Sequence, residues 1–117
     1  MIDNKEINQL TQELKSTQKV LIALGDETRQ HLILEMINSG KCFGMRVNDI
    51  ASKTNLSRPA VSHHLSILKD AGIVKIRREG TKNYYYFDAD METIDGVICM
   101  LHHAKAIMTS LPDRSKN

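Results

Sequence analysis

From residue 3 to residue 24 the apolar positions Ile7, Leu10, Leu14, Leu21 and Leu24 recur at three- and four-residue steps, with Thr17 in the gap and no Pro or Gly between them. That period predicts an amphipathic helix with a nearly heptad seam. Gly25 ends it, and Asp26 can cap a second helix whose Leu32, Ile33, Met36 and Ile37 form an apolar face before Ser39-Gly40. Lys41 to Arg46 reads as a loop. Val47, Ile50 and Ala51 then give a short helix, and Asn55 can adopt the left-handed conformation that closes it. Ser57 is a candidate N-cap and Gly72 a helix terminator, so the stretch between them predicts a fourth helix. Ile73 to Arg78 alternates apolar and basic residues, Glu79 to Lys82 makes a turn, and Asn83 to Phe87 is β-prone, which together predict a two-stranded hairpin. From Asp90 to about Leu111, Met91, Ile94, Ile98, Leu101 and Met108 form a second heptad-like seam, interrupted by Lys105 and closed by Pro112.

The fourth helix carries the most information. Projected at 100° per residue from Arg58, its residues Ile67, Ala60, Ala71, His64, Leu68, Val61 and Leu65 fall between about 180° and 340°. Arg58, Lys69, Ser62, Ser66, Pro59, Asp70 and His63 fall between about 0° and 140°. One arc must pack on something. The other offers cations, hydroxyls and one imidazole, which suit phosphate oxygens and base edges. The same geometry separates the adjacent histidines: His64 belongs with the core as a buried, hydrogen-bonded residue, and His63 stays with the contact arc.

A short helix, a tight turn and a longer helix is helix-turn-helix spacing, in which the second helix enters the major groove N-terminus first. The hairpin behind it, with Arg77, Arg78 and Lys82 near its tip, reads as a wing suited to phosphates or the adjacent minor groove. Base stacking of single strands on Tyr84, Tyr85 and Tyr86 ranks lower, because one face of that strand must cover the core.

Charge sharpens this reading. The whole chain of 117 residues carries only +2, yet Lys41 to Lys82 holds nine Lys/Arg against three Asp/Glu, while the flanks hold seven against eleven. The footprint for a polyanion is therefore the middle of the chain. The expected class is mainly α with a small β-hairpin, a single winged helix-turn-helix domain over residues 1–117. Its dimerisation helices run at about 3–24 and 90–111, the helix-turn-helix at about 47–71 and the wing at about 73–88. The terminal seams both need cover, which a homodimer through these helices supplies, with its recognition helices about one DNA turn, roughly 34 Å, apart on an inverted repeat. No apolar run is long enough for a membrane span and the first residues lack the apolar core of a signal peptide, so a cytoplasmic location is expected. No Gly-rich phosphate loop or convergent nucleophile and base is present, and consecutive Ser62, His63 and His64 diverge by about 100° each, so no enzyme is expected.

The string NDIASKTNLSRPAVSHHLSILKDAGIVKIRREGTKNYYYF resembles the DNA-binding core of the ArsR/SmtB family of bacterial winged-helix repressors, and Leu24-Gly25-Asp26-Glu27-Thr28-Arg29 resembles that family's entry into its second helix. The resemblance implies a homodimeric autoregulator that blocks transcription and releases DNA when an inducer, often a metal ion, binds. The family's inducer sites do not carry over intact. Arg46 and Asn48 stand where thiolate-site members place cysteines. The site on the last helix is represented only by Asp90, Glu92 and His103, an incomplete set that would hold a divalent metal weakly, so no cofactor is expected. Cys42, in a loop beside Lys41, and Cys99, on a stripe with Asp95, His102 and His103, suggest a thiol-based redox inducer if their Cα atoms lie within about 7 Å; the alternative, which ranks above it, is two unconnected thiols of which Cys99 is simply packed.

The function read from the sequence is thus repression from double-stranded operator DNA, with an inducer left open. Arg58, Pro59, Ser62, His63, Ser66 and Lys69 would contact bases or phosphate, and Arg77, Arg78 and Lys82 would hold the backbone. The competing reading is a winged-helix module that serves protein association without DNA; it has no need of the charge bias.

Overall fold

The computed structural model describes residues 3–115. Three of the five helices start at a side chain that caps them. In α1 (Asn4–Leu24) the Asp3 carboxylate accepts the Lys5 N–H at 2.9 Å, and in α2 (Glu27–Asn38) Asp26 accepts that of Arg29 at 3.0 Å. Such caps satisfy donors that the first helical turn leaves unpaired. Helix α3 (Val47–Thr54) ends on Asn55 at φ 58° and ψ 26°, the left-handed residue expected there. Helix α4 (Arg58–Asp70) begins with the Ser57 hydroxyl accepting from the Ala60 N–H at 3.2 Å, and Pro59 sits in its first turn, where a missing N–H costs nothing. After α4, Gly72 turns the chain at φ 78° into β1 (Val74–Glu79), which pairs antiparallel with β2 (Lys82–Phe87) before α5 (Met91–Thr109).

The core lies between α2, α3, α4 and the hairpin, with Val20 and Ala23 of α1 packed into it. Leu32, Ile50, Val61, Leu65 and Leu68 are completely buried, joined by Met45, Ile73 and Val74. The apolar arc of α4 therefore packs as its angles require, with the contact arc outside: Arg58, Pro59, Ser62, His63, Ser66 and Lys69 are all exposed.

Two features of the core depart from expectation. The segment before α3 is more than a loop, because Met45 bridges Tyr85 with both backbone hydrogen bonds at 2.8 Å and adds a short third edge to the wing. Gly44 makes this approach possible; it sits at φ 115°, and a Cβ there would lie 2.8 Å from the Tyr84 Cβ. His64 is half-buried rather than sealed in the core. Its Nδ1 faces a guanidinium nitrogen of Arg29 at 3.2 Å. Arg29, itself buried, donates to Ala23 O at 2.9 Å and Ile22 O at 3.0 Å, so it satisfies carbonyls that the end of α1 leaves open and joins α1, α2 and α4 at one point.

Helices α1 and α5 pack along each other and extend from this core. The radius of gyration is 18.3 Å, against about 13 Å for a compact chain of this length, and the long axis measures 57 Å. Along α1 the predicted seam divides in two. Thr17 is buried with Leu10 and Leu24 half-buried, whereas Ile7, Leu14 and Leu21, also seven residues apart, stay exposed. On α5 most of the expected seam faces away from α1: Met91, Ile98, Leu101 and Met108 are exposed and Ile94 is half-buried, while the buried side chain is Met100, with Gly96 close to Thr17. The reason is that α5 is apolar on more than one side, so periodicity alone cannot say which stripe its own chain covers.

Candidate nucleic-acid interface

The N-terminal ends of α3 and α4 and the cleft face of the wing meet in a polar concavity of about 250 Å³. Arg46, Asn48, Arg58, Ser62, Thr81 and Asn83 line it, and Arg58, Pro59 and Ser62 continue the same surface outwards over Val47. Arg58 and Ser62 stand one turn apart on α4, so they share a face. This places two guanidinium groups, two hydroxyls and two amides on one outward surface, a donor-rich set of the kind that reads phosphates and base edges.

The sequence reading missed Arg46, Asn48, Thr81 and Asn83. Their participation depends on how the α3 start and the wing fold towards α4, which no local pattern encodes. The remaining α4 candidates, His63, Ser66 and Lys69, are exposed further along the same helix.

The wing cations do not form the single cluster expected of them. Residues alternate faces along a strand. Arg78, opposite Asn83, lies on the face that carries Asn83 and Tyr85 towards the cleft, while Arg77 and Lys82 lie on the other face. Arg77 is also engaged already: it stacks over the Tyr84 ring at 4.6 Å, pairs with Glu79 at 2.7 Å and donates to Phe43 O at 3.1 Å. Lys75 is likewise held by Asp88 at 3.0 Å and Asp90 at 3.1 Å, carboxylates that raise its pKa, Asp88 first. Among the described residues, Arg46, Arg58, Lys69, Arg78 and Lys82 have no acidic partner within ion-pair distance. Five of the middle segment's cations thus stand free at α4, the α3 start and the wing tip.

The inducer candidates fall elsewhere. Asp90 and Glu92 stand at the start of α5, and His103 follows eleven residues after Glu92, about 17 Å along a helix axis. A single chain does not bring these three together. His103 instead meets Glu13 of α1, with Nδ1 at 2.8 Å from both carboxylate oxygens. Cys42 lines a recess with Met36, Met45 and Tyr85, while Cys99 sits beside Glu13 and His103; both are free thiols. Desolvation, and then the Glu13 carboxylate, push the Cys99 thiol above its ordinary pKa, which works against the thiolate that redox chemistry needs. Cys99 is exposed rather than simply packed.

Comparison with known proteins points to one group. The profile described as bacterial regulatory protein, arsR family, matches residues 26–75, from the cap of α2 into β1. The chain is 40% identical over 72 residues to the HTH-type transcriptional regulator MJ1325 of Methanocaldococcus jannaschii, covering 62% of this chain and 78% of that protein. It is 41% identical over 66 residues to the transcriptional repressor SdpR of Bacillus subtilis, covering 56% and 69%. Among solved structures, the homodimeric winged helix-turn-helix DNA-binding domain Mb0332 from Mycobacterium bovis matches with a TM-score of 0.57 and 25% identity, over 85% of this chain and 84% of that one.

Proposed function

This chain belongs to the arsR family of bacterial regulatory proteins, and from that premise we propose that it represses transcription as a homodimer seated on an inverted-repeat operator until an inducer releases it. DNA-binding regulation is the activity of the family. The carrying observation is the cleft where Arg46, Asn48, Arg58, Ser62, Thr81 and Asn83 converge at the leading end of α4. In this reading Arg58 and Ser62 enter the major groove and contact base edges, with Pro59, His63, Ser66 and Lys69 along the helix. Arg78 and Lys82 hold phosphates from the wing, and Arg77 mainly stiffens it. Two recognition helices are needed for a palindromic site, and the exposed stripes Ile7, Leu14 and Leu21 of α1 and Ile98 and Leu101 of α5 supply a surface for the second copy. The homodimeric state of Mb0332, which shares this fold, supports the same assembly.

The test is binding to the DNA upstream of the chain's own gene as salt is varied. With six to ten phosphates neutralised per dimer, affinity falls by roughly 10³ to 10⁵ between 50 and 200 mM salt. A flat response, with the dimer intact, overturns operator binding and leaves a protein-association module.

A further inference from the structure

Away from the cleft, Glu13 of α1 and Cys99 and His103 of α5 bring one carboxylate oxygen, one thiol sulfur and one imidazole nitrogen within 4.8 Å of one another. Cys99 and His103 are four residues apart and so lie on one face of α5, opposite Glu13. We propose that Glu13, Cys99 and His103 form a binding site for a thiophilic divalent transition-metal ion of the zinc type, held between α1 and α5.

Three arguments carry it. The donor set is chemically selective: thiolate and imidazole suit zinc and its neighbours, and a thiolate is a poor ligand for magnesium or calcium. The spacing is close to what an ion needs, since bonds of about 2.0–2.3 Å in a tetrahedral site put donor atoms roughly 3.5 Å apart. The His103 nitrogen already lies 2.8 Å from both Glu13 oxygens, so the contraction falls mainly on the Cys99 side chain, which is exposed and free to turn. Room for a fourth ligand exists as well: a recess of about 350 Å³ opens beside His103, between Glu6 and Gln9 on α1 and Ala106 and Ser110 on α5.

Binding breaks the Cys99 S–H bond and forms a sulfur–metal bond, with the proton leaving to solvent. Nδ1 of His103 gives up to solvent the proton it donates to Glu13 and turns from that hydrogen bond to the ion, leaving the ring proton on Nε2. The Glu13 carboxylate then holds the ion where it previously met the imidazole. The charge balances locally, with one thiolate and one carboxylate against a divalent cation. The site differs from the Asp90, Glu92 and His103 set in every residue but His103, and it lies within one chain.

The experiment is titration of the reduced, full-length protein with Co²⁺, read without DNA, so that failure of the operator reading leaves the outcome intact. A sulfur-to-cobalt charge-transfer band together with tetrahedral ligand-field bands is expected, saturating at one ion per chain and displaced by Zn²⁺. Cys99→Ser removes the charge-transfer band. His103→Ala and Glu13→Gln each weaken binding by roughly tenfold or more, and Cys42→Ser leaves spectrum and affinity unchanged. Circular dichroism verifies that each variant is folded; Cys99, being exposed, tolerates Ser even where a change at Glu13 disturbs the α1–α5 contact. A charge-transfer band that survives Cys99→Ser, one lost in Cys42→Ser, or no band in the unaltered protein overturns the proposal.

Discussion

The winged core and the α1–α5 arm are built on opposite economies of apolar surface. In the core, α2, α3, α4 and the hairpin bury a continuous set of Leu, Ile, Val and Met side chains. Along the arm, forty helical residues bury only Thr17, Val20, Ala23 and Met100, and they leave Ile7, Leu14, Ile98, Leu101 and Met108 exposed. A core of the first kind is complete within one chain. An arm of the second kind is complete only when something covers it, because contiguous exposed apolar stripes are costly in water and mark interfaces. The difference divides the labour: the core positions α4 and the wing, and the arm sets how far apart two copies hold them.

The sharpest way to break this division is a charge on the arm. Leu14→Glu leaves the core untouched, since Leu14 is 44% exposed in the single chain, but it places a carboxylate in the proposed subunit contact, where an unpaired buried charge is strongly unfavourable. The expected outcome is a folded monomer by sedimentation, with an unchanged core circular dichroism signal. Operator affinity should fall by at least about a hundredfold, because two linked half-site contacts become one. A dimer that persists would place the interface elsewhere on the chain.

Within the core three arginines carry unequal expectations: the sequence already separates Arg58 on the helix from Arg77 and Arg78 in the wing, and the structure separates the last two. Arg58→Ala should cost about 1–3 kcal/mol of operator binding and relax sequence preference. Arg78→Ala should weaken all sequences about equally and reduce the salt slope by about one. Arg77→Ala should do least to binding and more to stability, since it removes the Tyr84 stacking and the Glu79 and Phe43 contacts. Gel shifts on operator and scrambled DNA at several salt concentrations separate the three; the reverse order of Arg58 and Arg78 would reassign helix and wing.

The two regions were also unequally legible. Caps and terminators at Asp26, Ser57, Asn55 and Gly72 are local decisions, made within a few residues, and the arcs of α4 follow from its period. What escaped depends on contacts distant in sequence: Arg29 closing α1 while reaching His64, Met45 bridging Tyr85, and Arg46 and Asn48 meeting Asn83 across the cleft. For α5 the signal was ambiguous rather than absent, since its apolar residues occupy several stripes and the face that α1 approaches carries Gly96 and Met100, neither of them in the expected seam. The pairing of Glu13 with Cys99 and His103 required knowing how two helices at opposite ends of the chain lie together. The separation of Asp90 and Glu92 from His103, by contrast, was legible from helical rise alone.

The smallest effect tests the joint between the two regions, where Arg29 links the end of α1 to His64 of α4. Desolvation, opposed by Asp26 and assisted by the positive charge of Arg29 and by His63, lowers the His64 pKa below its ordinary value of 6.5. A neutral imidazole is also what the geometry demands, because Nδ1 must accept from the Arg29 guanidinium. The unfolded chain therefore takes up this proton at higher pH than the folded one. The stabilising contribution is full above pH 6.5, and it declines as pH falls below 6.5 towards the folded-state value. His64→Ala should lower the melting temperature at pH 7.5, at a cost of about 1–3 kcal/mol for the guanidinium nitrogen it leaves without an acceptor, and it should leave the sequence preference of DNA binding unchanged. Over the range from pH 7 to pH 5.5 the variant should also lose less of its remaining stability than the unaltered protein, a difference measurable as the slope of melting temperature against pH. Equal slopes would mean that His64 is protonated as readily in the fold as out of it.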